Sequence, residues 1–369
     1  MASRLHAPAS RNRYQATTGR HKSRGIVACH NAPMRLDDRF DDLVSSLGGF
    51  YRTWYVFTGL ELGFFDALRD AGTVGLTAGE LAAKAGTEPG MTSRWAWGAH
   101  AFALVESVDG RIRVPGDVAT ILLDADRAEF LGGQFQFAAV GSLDFDLLPE
   151  VFRTGDPVLS RPDRYRVAIE RLTVQDVAVF FQEVLGAFPQ LVADLRPGAK
   201  VIDVHSGGGR WLIAMARRFP GLLLTGVEFE PDSVDRARAN VAEAGLAGRI
   251  SIEQGSMLSV GHVAEADLVY FQYALHQLPD PVGTLRSAWA AVRPGGWLVA
   301  LDWYLPTDPD ELRTPHGELI AGVQLDEAVQ GTRLVTSSEA LGWFAAAGLP
   351  TPELVDLPSG ASAIVLHLD

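Results

Sequence analysis

VIDVHSGGGRWLIAMARRFPGLLLTGVE, residues 201–228, decides how this chain is built. Val201, Ile202 and Val204 form a short apolar strand run, and Gly207, Gly208 and Gly209 follow as a turn. Without Cβ atoms, that turn bends sharply and lets a ligand approach the backbone. The run WLIAMARRF has helical spacing, and LLLTGVE is a second strand. Glu228 closes that strand about 20 residues after the turn, where a carboxylate meets the hydroxyls of a ribose in doubly wound domains.

Downstream, strands and helices alternate. The pattern predicts strands at Ile250–Gln254, Asp267–Tyr273 and Trp297–Asp302, and helices at Ser233–Ala244 and Val282–Val292. Such alternation with short turns predicts a parallel sheet covered by helices. A helix at Ser337–Ala347 and a strand at Ala363–Leu368 close the chain, with a last hairpin expected at the sheet edge.

Upstream the pattern is helical. From Leu36 to Leu68 two helices are expected, separated by Gly48-Gly49. Thr77 with Glu80 reads as a capping box, Gly86 as a helix stop, and Asp109-Gly110 as a hairpin turn. This is a winged-helix order. Its second helix offers one full positive charge, Arg94, beside Trp95, Trp97 and His100, which favours a packing or dimerisation role over DNA reading. Arg171–Phe188 reads as one amphipathic stretch closed by Pro189. The aromatics of FLGGQFQF (130–137) and FDLLPEVF (145–152) read either as core or as the lining of an apolar substrate cavity.

Bulk composition narrows the partners. At 369 residues the chain is long enough for two domains. A net charge of −13 argues against nucleic acid, and no apolar run is long enough to span a membrane. Cys29 is the single cysteine, so disulfide frameworks and cysteine-rich metal sites are excluded, which fits a cytoplasmic setting. The histidines at 262, 276 and 316 have no partner at ligand spacing, so no metal site is expected. Residues 1–34 carry six basic side chains and no acid, and read as a disordered tail or as a mis-called start ahead of Met34.

The ordered landmarks VIDVHSGGGRW, LTGVEFEPDSV, QGSML, ADLVYFQYALHQLPDP, AVRPGGWLVALD and SGASAIVLHL resemble a known family. The C-terminal half resembles class I S-adenosylmethionine-dependent methyltransferases. From about Leu36 the whole chain resembles small-molecule O-methyltransferases with an N-terminal winged-helix dimerisation domain. That resemblance implies an α/β fold: a Rossmann-like methyltransferase domain with a mostly parallel seven-stranded sheet at 196–369. A helical winged-helix-like dimerisation domain at 35–125 and a helical substrate-pocket segment at 126–195 would precede it.

It also implies S-adenosylmethionine as cofactor, a small aromatic or polyketide-like acceptor from secondary metabolism, and a homodimer. By the same resemblance Asp203, Gly207 and Gly209 wrap the methionine portion of the cofactor and Glu228 binds the ribose. Ser256 and Met257 fall at the adenine position, and Gln272 stands where plant-type enzymes have lysine. His276 matches the general base and Asp302 the carboxylate that orients it. From the residues alone, His276 is either that base or a polar side chain lining the pocket, and Asp302 has an equal structural reading as a cap.

The chain departs from the family pattern at four places. His205 takes the first glycine position of the motif, Ser256 replaces aspartate, and Gln272 replaces lysine. The second supporting carboxylate expected within QGTRLVT (330–336) is missing, with Thr332 or Arg333 in its place. The alternative reading is a methyltransferase-like scaffold repurposed for other chemistry or for binding alone.

Overall fold

A computed structural model describes residues 35–158, 161–256 and 260–368. The basic N-terminal stretch, Cys29 and Met257 lie outside the described residues. The chain divides into two units, one ending at Gly48 and the other running from Gly49 onward. The helix Leu36–Glu61 is assigned through Gly48 and Gly49, so the sequence-based break there is not observed. Each glycine costs a helix about 1 kcal/mol, too little to end one this long. The break falls at Gly63, whose φ of 66° begins the helix Phe64–Ala71.

Two further helices, Ala78–Ala85 and Pro89–Ala101, precede a hairpin of β1 (Glu106–Val108) and β2 (Arg111–Arg113). Local chemistry fixes each boundary. Thr77 and Glu80 form the reciprocal capping box, and Gly86 ends its helix in a left-handed conformation. Asp109 (φ 51°) and Gly110 (φ 74°) supply the paired positive angles that a two-residue hairpin turn requires. Phe64, Phe65, Leu68, Leu81 and Trp95 pack into one core. The Trp95 indole donates to the Tyr55 carbonyl at 3.0 Å, and His100 Nδ1 lies 3.2 Å from the Val105 carbonyl. Two of the four side chains that a DNA-reading helix would present are therefore committed to internal contacts.

The segment Arg171–Phe188 is interrupted rather than continuous. A helix ends at Leu172, Val174–Val179 begins another, and Phe180–Val184 is wound as a π-helix. Pro189 opens the next helix, Pro189–Asp194, rather than closing this one, because proline's missing N–H is harmless in a first turn. The π segment places both Phe180 and Val184 in the core, with Phe180 against Trp211 and Tyr270.

Seven strands form the main sheet: β3 (Lys200–Val204), β4 (Leu223–Glu228), β5 (Ile250–Gln254), β6 (Ala266–Gln272), β7 (Val292–Asp302), β8 (Glu353–Asp356) and β9 (Ser362–His367). Their order is β5-β4-β3-β6-β7-β9-β8. β5 through β7 are parallel, and β9 joins β7 antiparallel, with β8 as the edge of the expected last hairpin. In β6, Ala266 to Phe271 are buried without alternation, as a central strand covered on both faces requires. One face packs on the helices from Val174 to Asp194 and on Arg210–Arg218 and Pro231–Glu243. The other packs on Pro281–Ala291 and Ser337–Ala346. Among the described residues, no helix is long and apolar enough to cross a membrane.

Candidate active site

From β3 the chain runs outward to β4 and β5, then returns to lay β6 on the other side of β3. The strand order reverses there, so the turns at the carboxyl ends of β3 and β6 part and leave a crevice. A cavity of about 410 Å³ occupies it. Asp203, Glu228, Gln272 and Asp302 come from the carboxyl ends of four different strands, and all four line it with Gly207 and His276. A separate cleft of about 440 Å³, lined by Lys200, Leu223, Arg249 and His262, holds none of the candidate residues.

The glycine turn is held by the acid it was read with. Glu228 is buried, and its Oε2 accepts the Gly207 N–H at 2.8 Å. Oε1 accepts the N–H groups of Phe229 at 2.8 Å and Glu230 at 3.0 Å. Gly207 and Gly209 adopt φ of 52° and 74°, and the Asn240 side chain donates to the Gly208 carbonyl at 2.9 Å. His205 takes the first position with φ of 68°, a left-handed conformation unusual outside glycine. Its ring tilts against Phe229 with centroids 5.0 Å apart, and its N–H bonds the Val227 carbonyl at 2.8 Å. The turn thus keeps its left-handed backbone despite the side chain. Burial, and then the neighbouring Glu228 charge, push the Asp203 carboxyl well above its ordinary range.

On the other side of the crevice stands His276, in a short turn of 3-10 helix after β6. Its Nδ1 is 2.8 Å from Asp302 Oδ2, and the other Asp302 oxygen accepts the Trp303 N–H at 2.9 Å. Nε2 is 3.6 Å from Glu327 Oε1, an ion-pair distance too long for a hydrogen bond, and it has no hydrogen-bond partner. Burial lowers the basicity of the ring. The charge and hydrogen bond of Asp302, with Glu327 adding to them, outweigh burial and raise the pKa to about 10. Burial pushes Glu327 upward, but His276 and the Thr332 hydroxyl outweigh it and hold the carboxyl below its usual range.

Glu327 corrects the sequence reading. The second carboxylate taken as missing from 330–336 is present three residues earlier, near the end of the helix Pro315–Gln330. Thr332, which takes its place in the sequence, hydrogen-bonds it from the following turn. The available signal was an acidic pair, Asp326-Glu327, within the helical run LIAGVQLDEAVQ. Asp326 also lines the cavity, where it accepts from Arg161 and Tyr165.

Residues 201–296 match the methyltransferase domain family. The chain carries a methyltransferase domain. Over 141 residues it is 28% identical to 27-O-demethylrifamycin SV methyltransferase of Amycolatopsis mediterranei, covering 36% of this chain and 52% of that protein. Over 101 residues it is 29% identical to a ubiquinone biosynthesis O-methyltransferase of Thiobacillus denitrificans, covering 27% and 43%. The chain thus spans about half the length, or less, of these curated relatives. Human N-acetylserotonin methyltransferase, solved with SAM, superposes with a TM-score of 0.70 at 19% identity, over 91% of this chain and 99% of that one. Mitomycin 7-O-methyltransferase gives 0.65 at 19%, over 90% and 98%. At such identities the likeness is one of fold.

In the methyltransferase domain Ser256 is exposed just beyond β5. Gln272 is engaged with a residue that sequence reasoning did not single out: its Nε2 donates to Asp176 Oδ2 at 3.3 Å. Asp176 is buried on the helix Val174–Val179 and lines the cavity. Burial pushes its carboxyl up to about 8, with the Asp302 charge adding to the shift and Gln272 opposing it. A carboxyl raised on folding contributes stability below its unfolded value, about 3.9, and loses that contribution as pH climbs through its folded value. Asp176→Asn removes this decline. Melting curves across the range from about pH 4 to about pH 9 should show the variant gaining on the wild type as pH rises. A constant difference would contradict the assignment.

Proposed function

We propose that this protein is an S-adenosylmethionine-dependent methyltransferase. Its acceptor is a hydroxyl of a small aromatic or polyketide-like molecule of secondary metabolism. The observation that carries this reading is one cavity with two chemically distinct ends. At one end Glu228 holds a glycine turn, and at the other Asp302 and Glu327 flank His276.

The glycine end fits the cofactor. Gly207 keeps open space where a side chain would project. With three backbone N–H groups on the Glu228 carboxylate, Oε2 carries only one of them and is the freer oxygen for a ribose hydroxyl. Asp203 sits beside it at the end of β3, and the glycine backbone leaves room for the methionine portion. S-adenosylmethionine, when bound, supplies a methyl group on a sulfonium with a good leaving group. The protein's own task is then to align the acceptor oxygen and receive its proton. His276 faces that oxygen, and Asp302 fixes the ring's tautomer and orientation.

The N-terminal helix supports the expected homodimer. Leu36, Phe40, Leu43, Val44 and Leu47 recur at helical spacing and are all exposed, a stripe that a second copy would cover.

Isothermal calorimetry tests the cofactor assignment. S-adenosylmethionine is expected to bind with micromolar affinity. Absence of heat at millimolar ligand would favour the repurposed scaffold, in which His205 and Ser256 have cost the domain its cofactor.

A further inference from the structure

Among the described residues, nine have a buried side-chain nitrogen or oxygen without a hydrogen-bond partner, and six of the nine line the cavity between β3 and β6. They sort by position. Glu170 and Arg236 face each other at 3.1 Å and serve as an ion pair. Ser206 and Trp211 flank the glycine turn at the cofactor end. His276 Nε2 and the Trp303 indole nitrogen belong to the acceptor end. The imidazole serves methyl transfer, whereas no protein group engages the indole N–H. A buried donor left unpaired costs free energy until something accepts from it.

Trp303 follows Asp302 at the end of β7, and its main chain shares that carboxylate with the His276 ring. Oδ1 accepts the Trp303 backbone N–H at 2.9 Å, and Oδ2 stands 2.8 Å from His276 Nδ1. The indole packs edge-on against Tyr273 with centroids 5.6 Å apart, which holds it in place. We infer that the Trp303 indole N–H donates to a carbonyl oxygen of the methyl acceptor. The acceptor class is then a hydroxyaryl ketone or hydroxyquinone, with hydroxyl and carbonyl on the same or a fused ring. This rests on the methyl-transfer reading above. The hydroxyl goes to His276 and the carbonyl to Trp303, two residues tied to one carboxylate, which keeps the two oxygens they serve close together.

The chemistry of this end selects a neutral carbonyl. An indole N–H only donates, and a carbonyl only accepts, so the pair is satisfied without a further partner. A second hydroxyl would bring a proton that needs an acceptor of its own. A carboxylate on the ligand would meet the negative charge that Asp302 and Glu327 already place there. A conjugated carbonyl also draws charge from the hydroxyl oxygen and lowers its pKa, so the proton leaves more readily. In a free hydroxyaryl ketone the hydroxyl donates to its own carbonyl. A donor on the carbonyl's second lone pair weakens that internal bond and frees the hydroxyl for His276. Phe137, Tyr165, Tyr273 and Trp303 give the cavity aromatic walls for a flat ring system.

A matched pair of acceptors tests this in the full chain: 8-hydroxy-1-tetralone and 5,6,7,8-tetrahydro-1-naphthol share one skeleton and differ only in the carbonyl beside the hydroxyl. Release of S-adenosylhomocysteine should favour the ketone in kcat/KM. Trp303→Phe, which keeps an aromatic wall without the donor, should lower the ketone-to-phenol ratio by about 10-fold. A role in packing alone would lower both rates alike, and an unchanged ratio overturns the inference. Heteronuclear NMR of the indole N–H groups gives a readout without turnover, with Trp303→Phe identifying the signal among eight tryptophans. In the presence of S-adenosylhomocysteine, the ketone should move that signal downfield and the phenol should leave it in place. A signal that is unmoved, or moved equally by both, overturns the inference, as does a ketone that fails to bind at millimolar concentration. A signal moved by the ketone alone, with no S-adenosylhomocysteine formed from S-adenosylmethionine, would instead sink the methyl-transfer reading and leave the donor in place.

Discussion

His276→Ala should lower methyl transfer by about 1000-fold or more while leaving S-adenosylmethionine affinity within about 2-fold. The ring touches the acceptor end of the cavity, while the glycine turn and Glu228 are held by contacts that do not involve it. Alanine removes more than a proton carrier. It leaves Asp302 and Glu327 as two buried carboxylates without the cation between them, and breaking such a group typically costs about 3–5 kcal/mol. Melting temperature should therefore fall alongside turnover, and the difference should shrink as pH climbs from about 6.5 through about 10, where the wild-type ring itself loses its charge. Steady-state rates with calorimetry on the same preparation separate the two effects. A variant that keeps near-normal turnover would show that His276 merely lines the pocket.

The second large effect is expected at Glu228. In Glu228→Ala, the N–H groups of Gly207, Phe229 and Glu230 lose their acceptor. Each buried donor left unpaired costs about 1–3 kcal/mol unless water or backbone movement recovers it. The turn would relax, and its left-handed glycines would no longer be held in one shape. Cofactor affinity should fall by about 100-fold or more, with a reduced melting temperature. Glu228→Gln keeps one carbonyl oxygen for Phe229 and Glu230 but turns an amide toward Gly207, so an intermediate loss is expected. Equal affinity in the wild type and the alanine variant would mean that the turn does not bind the cofactor.

Much of this architecture was legible in the sequence. The parallel strands were read to within a residue or two at most ends, because their apolar runs are short and bounded by glycine and proline turns. β7 was the exception, starting earlier, at Val292. The Thr77–Glu80 box and the Asp109-Gly110 turn were legible because the residues themselves supply the bonds and angles. The helical half was harder. Gly48-Gly49 looked like a stop, yet a long helix absorbs the cost, and a π-helix at Phe180–Val184 leaves no distinct sequence mark. Glu327 was missed because its role depends on the tertiary meeting of a helix end with the turn after β6. Asp176 was missed for the same reason, since only the fold brings it to Gln272. The unusual His205 was visible in sequence, but its accommodation by a left-handed backbone was not.

The central claim is that this cavity transfers a methyl group from S-adenosylmethionine to a hydroxyl. Incubation with methyl-labelled S-adenosylmethionine and a library of phenols and aromatic polyketides, followed by mass spectrometry, tests it most directly. The account predicts label in a methyl ether on at least one acceptor, formed together with S-adenosylhomocysteine and lost in His276→Ala. Cofactor binding with no labelled product across the library, or label that persists undiminished in His276→Ala, would contradict it.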